Sequence, residues 1–354
     1  MSNSMARMPT LFGDEVQPPV AALKARDIQD PAGMWHAARA RHGIDDRMWF
    51  GLYQAEARAP RWHTCSHRHS DGLGALSLLL RECGFVAGHP PEGRPHAIPH
   101  WSELWRSWRT RPALRPLAMR WQAHDPSLAS CQAHEPVSVL LSSEHTQLIE
   151  DAAACAGVST TLWLQWTADR ALRASLADAD SVSGWLFPVN LRGSVQAPDR
   201  HANQCSALTL RLGPESTARS VRQLVNEGFG RHEHWHTWLM LNLGRWVGQR
   251  GVNMLYRWSQ APSGSFAGCY TNLGEWNVPG LAGVACTAPS NPAYPVSVGT
   301  VLCNGRRTLA CRLHPVIGGN AQRAIEYLKH WREATLRVSG DDLYGLPPEP
   351  AIEA

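Results

Sequence analysis

The sequence of 354 residues has no long apolar run and no block of like charge. No stretch approaches the roughly 18 consecutive apolar residues that a membrane helix needs, and the N-terminus MSNSMARMPTLFGDE lacks the basic and then apolar layout of a signal peptide. The 34 basic and 30 acidic side chains are spread along the chain rather than gathered in a basic arm. We therefore expect a cytoplasmic protein with no nucleic-acid partner.

Several site motifs are also missing. The nine cysteines include no Cys-x-x-C pair, the spacing typical of zinc and redox sites. We interpret them as reduced thiols, mostly buried. The sequence has no Gly-x-Ser-x-Gly elbow between a strand and a helix, and no glycine-rich phosphate loop with Lys-Ser or Lys-Thr. Serine hydrolysis and nucleotide binding therefore lack support.

The composition favours a folded protein, with 44% hydrophobic residues, 29 Gly and 25 Pro. A chain longer than about 250 residues usually forms two cores. Residues 1–30 show no clear period and are predicted to be an irregular lead-in. The Pro-rich zone 112–136 separates an N-terminal lobe, residues 31–125, from a C-terminal lobe, residues 126–354.

Hydrophobic periodicity predicts helices between strands in both lobes. The Asn304-Gly305 pair predicts a hairpin turn. The predicted elements are a helix at 33–43, strands at 48–58 and 61–66, a helix at 73–83, a strand at 137–141, helices at 144–157 and 159–177, strands at 182–191 and 207–212, a helix at 216–228, the hairpin at 295–313 and a helix at 320–337.

Tryptophan is unusually frequent, with 16 residues against 6 Phe and 6 Tyr. Trp101, Trp105 and Trp108 recur at helical spacing beside Arg106 and Arg109. Such a stripe is usually the face that a helix packs on a core, which is the preferred interpretation. Tryptophan with arginine also suits an interfacial helix, so contact with a membrane surface stays open.

The segment CSHRHSDG, residues 65–72, lies between a predicted strand and a predicted helix. Its pattern His67-x-x-x-Asp71-Gly72 can turn the chain sharply, leave Asp71 free to pair with an arginine, and place His67 at a strand end as a general base. The bare pattern arises by chance in about one such chain in twenty. A Cys65 nucleophile is an alternative, although a buried thiol is favoured at this position.

A second pattern, His232-Glu233-x-x-His236, has the form of a zinc hydrolase motif. A third ligand is wanting, because the next acidic residue is Glu275, beyond the usual spacing. We favour a surface helix turn with clustered histidines.

Five segments occur in a telling order: RHGIDDRMWF, SHRHSDG, FPVNLRG, ANQCSALTLRL and YTNLGEW. Together they resemble the chloramphenicol-acetyltransferase-like acyltransferases, a group that includes nonribosomal-peptide condensation domains and bacterial wax ester synthases. The second segment is similar to the His-x-x-x-Asp-Gly signature, and the others to the Arg-His-Glu-x-x-Arg-x-x-Phe, Pro-Val-Asn-Leu-Arg, Gly-Asn-x-x-Ser and Ser-Asn-Leu-Gly segments. The resemblance covers most of the chain.

This resemblance implies an α+β fold, a mixed α/β sandwich of two chloramphenicol-acetyltransferase-like lobes with the active site between them. The N-terminal lobe is expected to be abbreviated, because the motif arrives early, at residue 67. The implied function is transfer of an acyl group to a hydroxyl or amine of a small-molecule acceptor. The donor would be acyl-CoA or a phosphopantetheinyl thioester on an acyl carrier protein, with no metal and no bound cofactor.

The resemblance also implies roles for individual residues. His67 would be the general base, and Asp71 would pair with an arginine to hold the turn that contains Gly72. Arg47 is the first choice of partner and Arg192 the second. The remaining candidates for contact with the substrate or its oxyanion are the Gly72 amide, Thr271, Asn272, Asn190 and Arg192.

Some residues depart from the family pattern. Ser66 replaces the first histidine of the usual pair, Ala202 replaces a glycine, and Thr271 stands where serine is common. The lost histidine and the short first lobe motivate an alternative, a catalytically silent protein that binds an acyl carrier or a partner enzyme. If the chain is active, its many tryptophans favour a long or aromatic acyl group over acetyl.

Overall fold

Two β-sheets organise the described part of the chain. The computed structural model describes residues 31–336, apart from 56, 58, 87, 111–118, 198 and 260. The predicted lead-in, residues 1–30, lies outside this range. The elements in chain order are α1 (Pro31–Arg41), β1 (Arg47–Gln54), β2 (Arg61–Ser66), α2 (Gly72–Glu82), α3 (Trp101–Thr110), β3 (Val137–Leu140), α4 (Ser143–Cys155), α5 (Thr160–Ser175), β4 (Ser183–Asn190), β5 (Cys205–Leu212), α6 (Ala218–Gly230), α7 (Glu233–Asn242), α8 (Gly244–Ser259), β6 (Gly268–Trp276), β7 (Leu281–Thr287), β8 (Val296–Cys303), β9 (Arg306–Leu313) and α9 (Ala321–Leu336).

The larger sheet has the strand order β3-β9-β8-β6-β4-β5. Its inner pairs β4–β6 and β6–β8 are parallel and the others are antiparallel. Helices α5 and α9 contribute Trp163 and Trp331 to its core, where they join Trp185 of β4. Each of these indoles has a hydrogen-bond acceptor, as buried tryptophans require; Trp185, for example, donates to Asp169 at 2.8 Å. The predicted hairpin is confirmed, with Asn304 and Gly305 both at positive φ between β8 and β9.

The smaller sheet has the antiparallel order β2-β1-β7. Its third strand therefore comes from the predicted C-terminal lobe, while the lobe boundary at residue 125 stays a prediction. Strand β7 also lies against β8 of the larger sheet. Gly299 of β8 permits this approach, because a Cβ atom there would lie 1.9 Å from the carbonyl oxygen of Cys286.

The helix predicted around Trp101 is confirmed as α3, but its predicted packing is wrong. Trp101, Trp105 and Trp108 are 68%, 56% and 52% exposed, and among residues 101–109 only Leu104 is buried against the core. Helix α8 was not predicted, and α7 was predicted only as a turn of helix around His232–His236. The chain bends at Gly248 of α8, where φ is 64°.

All nine cysteines are free thiols. Five are buried, which confirms the expectation for most of them, whereas Cys83, Cys131 and Cys155 are exposed. In the described ranges, no helix combines the length and the apolar character that crossing a bilayer requires.

Candidate active site

A cavity of about 350 Å3 is lined by residues of both sheets and of helices α1 and α7. Seven of the eight predicted site residues line it: His67, Asp71, Gly72, Asn190, Arg192, Thr271 and Asn272. Arg47 does not. Most other lining residues are apolar, among them Met48, Phe50 and Leu186, and none is a tryptophan. The tryptophan count therefore gives no information about what this cavity binds.

His67 directly follows β2, and its side chain is partly accessible. Its backbone amide donates to the Asp46 carbonyl at 3.0 Å, and its own carbonyl accepts from Asn203 Nδ2 at 3.1 Å. Both sides of its peptide are thus anchored. The imidazole is consequently held at the end of the strand, facing the cavity.

Asp71 holds the turn through three segments of the chain. Its Oδ1 atom caps α2 by accepting from the Gly74 amide at 3.0 Å and also accepts from Arg192 Nη2 at 2.7 Å. Its Oδ2 atom accepts from the Gln204 amide at 2.8 Å. Asp71 and Arg192 are both buried. The carboxylate therefore ties the start of α2 to the segments that follow β4 and precede β5.

The preferred pairing of Asp71 with Arg47 is wrong, and the second choice, Arg192, is the partner. Arg47 instead forms an ion pair with Asp45 at 2.8 Å and donates to Gln132 at 2.7 Å. Its side chain is 39% exposed. Asp45 also accepts from the buried Arg312 at 2.9 Å. Arg47 thus belongs to a network outside the cavity that links the start of β1 to β9.

Gly74 brings the first turn of α2 against the loop at residues 199–204. A Cβ atom at this position would lie 2.3 Å from the His201 carbonyl oxygen. The same carbonyl accepts a hydrogen bond from Ser70 Oγ. The turn is therefore held against this loop at both ends, by the Ser70 hydrogen bond and by the close approach of Gly74.

The two candidate oxyanion donors on β6 differ in their availability. Asn272 Nδ2 donates to Thr161 at 2.8 Å, and Asn272 Oδ1 accepts from the Gly274 amide at 2.9 Å. The side-chain amide of Asn272 is therefore already hydrogen-bonded to Thr161 and Gly274. The Thr271 hydroxyl lies 3.7 Å from the Cys269 thiol, a weak partner. Asn190 is likewise engaged, since its side chain contacts Pro91 and Arg192.

Two further residues that line the cavity, His36 and Arg39, were missed at the sequence level. They lie one turn apart on α1, and the His36 ring stacks on His67 with centroids 4.0 Å apart and planes 12° apart. The available signal was their three-residue spacing in an otherwise alanine-rich helix. It could not show that α1 packs beside the motif.

Both stacked imidazoles are shifted toward the neutral form. Burial lowers the pKa of His67 from 6.5, against opposing effects of its own carbonyl and of Asp71. Burial lowers the pKa of His36 well below 6.5, and the neighbouring His67 and Arg39 lower it further. A neutral imidazole that faces a cavity can accept a proton at neutral pH.

The alternative chemistries gain little from the geometry. Cys65 is buried and absent from the cavity lining, and burial raises the pKa of its thiol to about 12, which disfavours the nucleophilic thiolate. The expected buried thiol is therefore confirmed.

The predicted helix turn with clustered histidines is confirmed as the start of α7, but its predicted surface location is wrong, because His234 and His236 are buried. His232 precedes α7 in the left-handed conformation, and Glu233 pairs with Arg231 at 2.9 Å. His236 Nε2 lies 3.0 Å from Ser107 Oγ, so this histidine joins α7 to α3. Nowhere in the described ranges do three or more His, Cys, Asp or Glu side chains form a group that could hold a metal ion.

No protein-family model matches the sequence, and no curated protein matches it. Several solved structures are similar to it. The trichothecene 15-O-acetyltransferase from Fusarium sporotrichioides is 13% identical, with a TM-score of 0.50 over 89% of this chain and 76% of its own. The wax ester synthase/diacylglycerol acyltransferase from Marinobacter aquaeolei VT8 is also 13% identical, with a TM-score of 0.47 over 85% of this chain and 75% of its own.

The chain spans little more than half of two other similar structures. It covers 55% of the epimerization domain from the third module of tyrocidine synthetase B, at 9% identity and a TM-score of 0.39. It covers 56% of the condensation domain from a monacolin K polyketide synthase, at 12% identity and a TM-score of 0.45. At these identities the likeness concerns the fold. The two sheets, the helices packed on them and the match to the 15-O-acetyltransferase show that this chain has a chloramphenicol-acetyltransferase-like fold.

Proposed function

We propose that this protein is an acyltransferase that moves an acyl group from a CoA or carrier-protein thioester to a hydroxyl or amine acceptor. The observation that carries the proposal is the placement of His67. Its imidazole faces a mostly apolar cavity, its pKa is lowered, and the turn that bears it is clamped by the buried Asp71–Arg192 pair. A general base must be held in place, reach the bound substrate and be neutral before it takes the proton, and His67 meets these conditions in the proposed site.

The proposed step begins with proton transfer. The His67 imidazole removes the proton from the acceptor O–H or N–H as its oxygen or nitrogen attacks the thioester carbonyl. The resulting oxyanion accepts hydrogen bonds, for which the Thr271 hydroxyl and the Gly72 amide are the candidate donors. Collapse of this intermediate breaks the C–S bond, and the thiolate takes the proton from His67. The products are an ester or amide and a free thiol, and the base is regenerated.

His36 supports the base from the α1 side. Ser66 occupies the position of the first histidine in the family's pair, which motivated the catalytically silent alternative. The structure brings another imidazole against His67 from a different element. In the proposed site His36 fixes the plane of His67 and covers one of its faces, and its low pKa keeps it uncharged beside the base.

Arg39 places a cation at the same cavity. Coenzyme A and the phosphopantetheine arm both carry phosphate, which arginine binds well. A thioester donor of this kind therefore suits the cavity better than a simple thioester without phosphate. Arg39 would act on donor binding rather than on the proton transfer.

The direct test uses the purified full chain with a panel of acyl-CoA and acyl-carrier-protein thioesters, each mixed with alcohols and amines. Release of free thiol would be followed by absorbance, and the ester or amide product by mass spectrometry. We expect thiol and product in equal amounts with at least one donor. His67→Ala is the matched control for turnover that does not depend on the base.

The catalytically silent alternative predicts a different outcome. In that case the full chain would bind an acyl carrier or a partner enzyme without releasing thiol, and His67→Ala would bind it equally well. Elemental analysis of the same preparation tests the zinc hydrolase, which requires stoichiometric metal and hydrolysis without any acceptor.

A further inference from the structure

Exposed apolar side chains are concentrated on one part of the molecule. Of the thirteen large ones in the described ranges, only Val86, Leu148 and Val182 lie elsewhere. The other ten lie on α3, α7, α8 and the residue Ile98 before α3. We call this set the tryptophan surface: Ile98, Trp101, Trp105, Trp108, Leu239, Met240, Trp246, Val247, Met254 and Trp258.

The three helices of this surface are neighbours. A groove of about 530 Å3 is lined by Ile98, Leu104, Leu239 and Trp246, which brings all three helices to one opening. Trp108 also packs edge-on against His236 of α7, with ring centroids 5.6 Å apart. The apolar area is therefore continuous from α3 across α7 to Trp246, which lies before the bend of α8, and patches of this kind usually mark contact sites.

The charge of this surface is almost entirely positive. No acidic residue occurs between Glu233 and Glu275. Within that interval Arg245, Arg250 and Arg257 are exposed. After the bend of α8, the exposed residues Arg250, Met254, Arg257 and Trp258 follow a spacing of four, three and one, so they share one helical face. This face therefore combines two arginines with the apolar side chains of Met254 and Trp258.

Helix α3 repeats this pairing. The Arg109 guanidinium lies 5.9 Å from the centre of the Trp105 ring, and Glu103 is the only acid of the helix. Tryptophan suits the boundary between lipid headgroups and acyl chains, and arginine binds phosphate while its stem stays in apolar surroundings. A second copy of the chain suits the surface poorly, because a symmetric contact through it would set arginines against arginines.

We propose that the tryptophan surface docks onto a bilayer that contains anionic phospholipids. Helices α3 and α8 would lie at the interface, with their indoles among the headgroups and their arginines on lipid phosphates. Helix α7 connects this surface to the cavity, because Thr237 and Leu241 line the cavity while Leu239 and Met240 are exposed outside. The docked face and the cavity are thus separated by the thickness of one helix.

The test is vesicle flotation of the full chain, which needs no activity and so does not depend on the proposed function. Vesicles of phosphatidylglycerol mixed with phosphatidylcholine would be compared with vesicles of phosphatidylcholine alone. We expect binding to the mixed vesicles that weakens with added salt. Arg250→Gln and Arg257→Gln should each lower the partition coefficient about fivefold. Trp258→Ser should lower it about tenfold.

Matched controls lie elsewhere on the exposed surface. Arg170→Gln on α5 and Val86→Ser should leave the partition coefficient unchanged. Thermal melts of all variants would verify that each is folded. Equal binding to neutral vesicles, or equal losses in the controls, would overturn the proposal. So would a dimer in light scattering without lipid that Trp246→Ser dissociates, since the surface would then belong to a second copy.

Discussion

In the turn between β2 and α2, the Asp71 carboxylate accepts hydrogen bonds from three separate segments, and its charge is met by a buried arginine. On α3 and α8, five tryptophans are more than half exposed, and the arginines among them have no acidic neighbour along α8. The first region fixes its own geometry and leaves one imidazole accessible. The second leaves its apolar groups for contact with something outside the chain. Substitutions in the two regions should therefore have different consequences.

The largest expected effect is on the turnover of a variant that lacks the His67 imidazole. His67→Ala should reduce acyl transfer by about 100- to 10,000-fold, the range typical of a lost general base. Its free energy of unfolding should barely change, because the ring faces a cavity rather than a packed core. Steady-state kinetics and urea unfolding would measure the two quantities. Near wild-type turnover in this variant would place catalysis elsewhere.

The next effect concerns stability at the same turn. Asp71→Asn leaves Arg192 buried without its counter-ion, which should cost about 3 to 5 kcal/mol of unfolding free energy. Arg47→Gln removes the more exposed of the two arginines that pair with Asp45, and Arg312 remains beside that carboxylate, so the cost should be about 0 to 1 kcal/mol. Urea unfolding at neutral pH compares the two variants directly. Similar costs would mean that the buried pair does not clamp the turn.

His234, a buried histidine in the first turn of α7, should make the fold sensitive to acid. Burial lowers the pKa of His234 to about 4. As pH falls, His234 is protonated near pH 6.5 in the unfolded chain but only near pH 4 in the folded chain. The free energy of unfolding therefore decreases as pH falls from about 6.5 toward about 4. The loss from this group is at most about 2 kcal/mol at pH 5. His234→Phe should reduce the slope of unfolding free energy against pH in this window; an unchanged slope would refute the assignment.

A smaller effect is expected where α1 meets the turn. His36→Ala should open one face of His67 to water, lower turnover about tenfold, and raise the acid limb of the pH profile toward 6.5, because burial is what lowers the pKa of His67. His36→Phe keeps a flat ring on that face and should preserve both. An alanine variant whose acid limb does not move would reduce His36 to ordinary packing.

The smallest effect is expected on the exposed helices. Trp258 is 77% exposed, so Trp258→Ser should change the free energy of unfolding by no more than about 0.5 kcal/mol. The same variant is expected to lose vesicle binding, so stability and binding separate here. A large loss of stability without lipid would show that the indole packs against the chain itself.

Local features were the most predictable from the sequence. Strand β2 spans the six residues expected, Asp71 begins α2, and Asn304-Gly305 closes a hairpin, because each depends on neighbouring residues alone. The cavity residues given by the family resemblance also came together. Their roles in catalysis remain predictions.

The features that were missed depend on residues far apart in the chain. Arg47 and Arg192 both stood near family motifs, and only the position of the segment after β4 beside the start of α2 decides that Arg192 reaches Asp71. The stack of His36 on His67 depends on where α1 lies, which no periodicity encodes. The stripe of tryptophans has the spacing of a core-facing helix, and spacing cannot show whether a partner surface exists. Strand β7 was also missed, because its pairing with β1 joins segments that are far apart in the chain.

The pairing of β1 with β7 also constrains how the chain comes to be folded. As the polypeptide emerges from the ribosome, β1 and β2 are available long before Leu281–Thr287 is synthesised. Until then one edge of β1 presents free N–H and C=O groups, and the apolar side chains Met48 and Phe50 lack part of their packing. Strands β1 and β2 therefore remain without their third strand during most of synthesis, and this exposed state favours aggregation. Completion of this small sheet is one of the late events in the biogenesis of the protein.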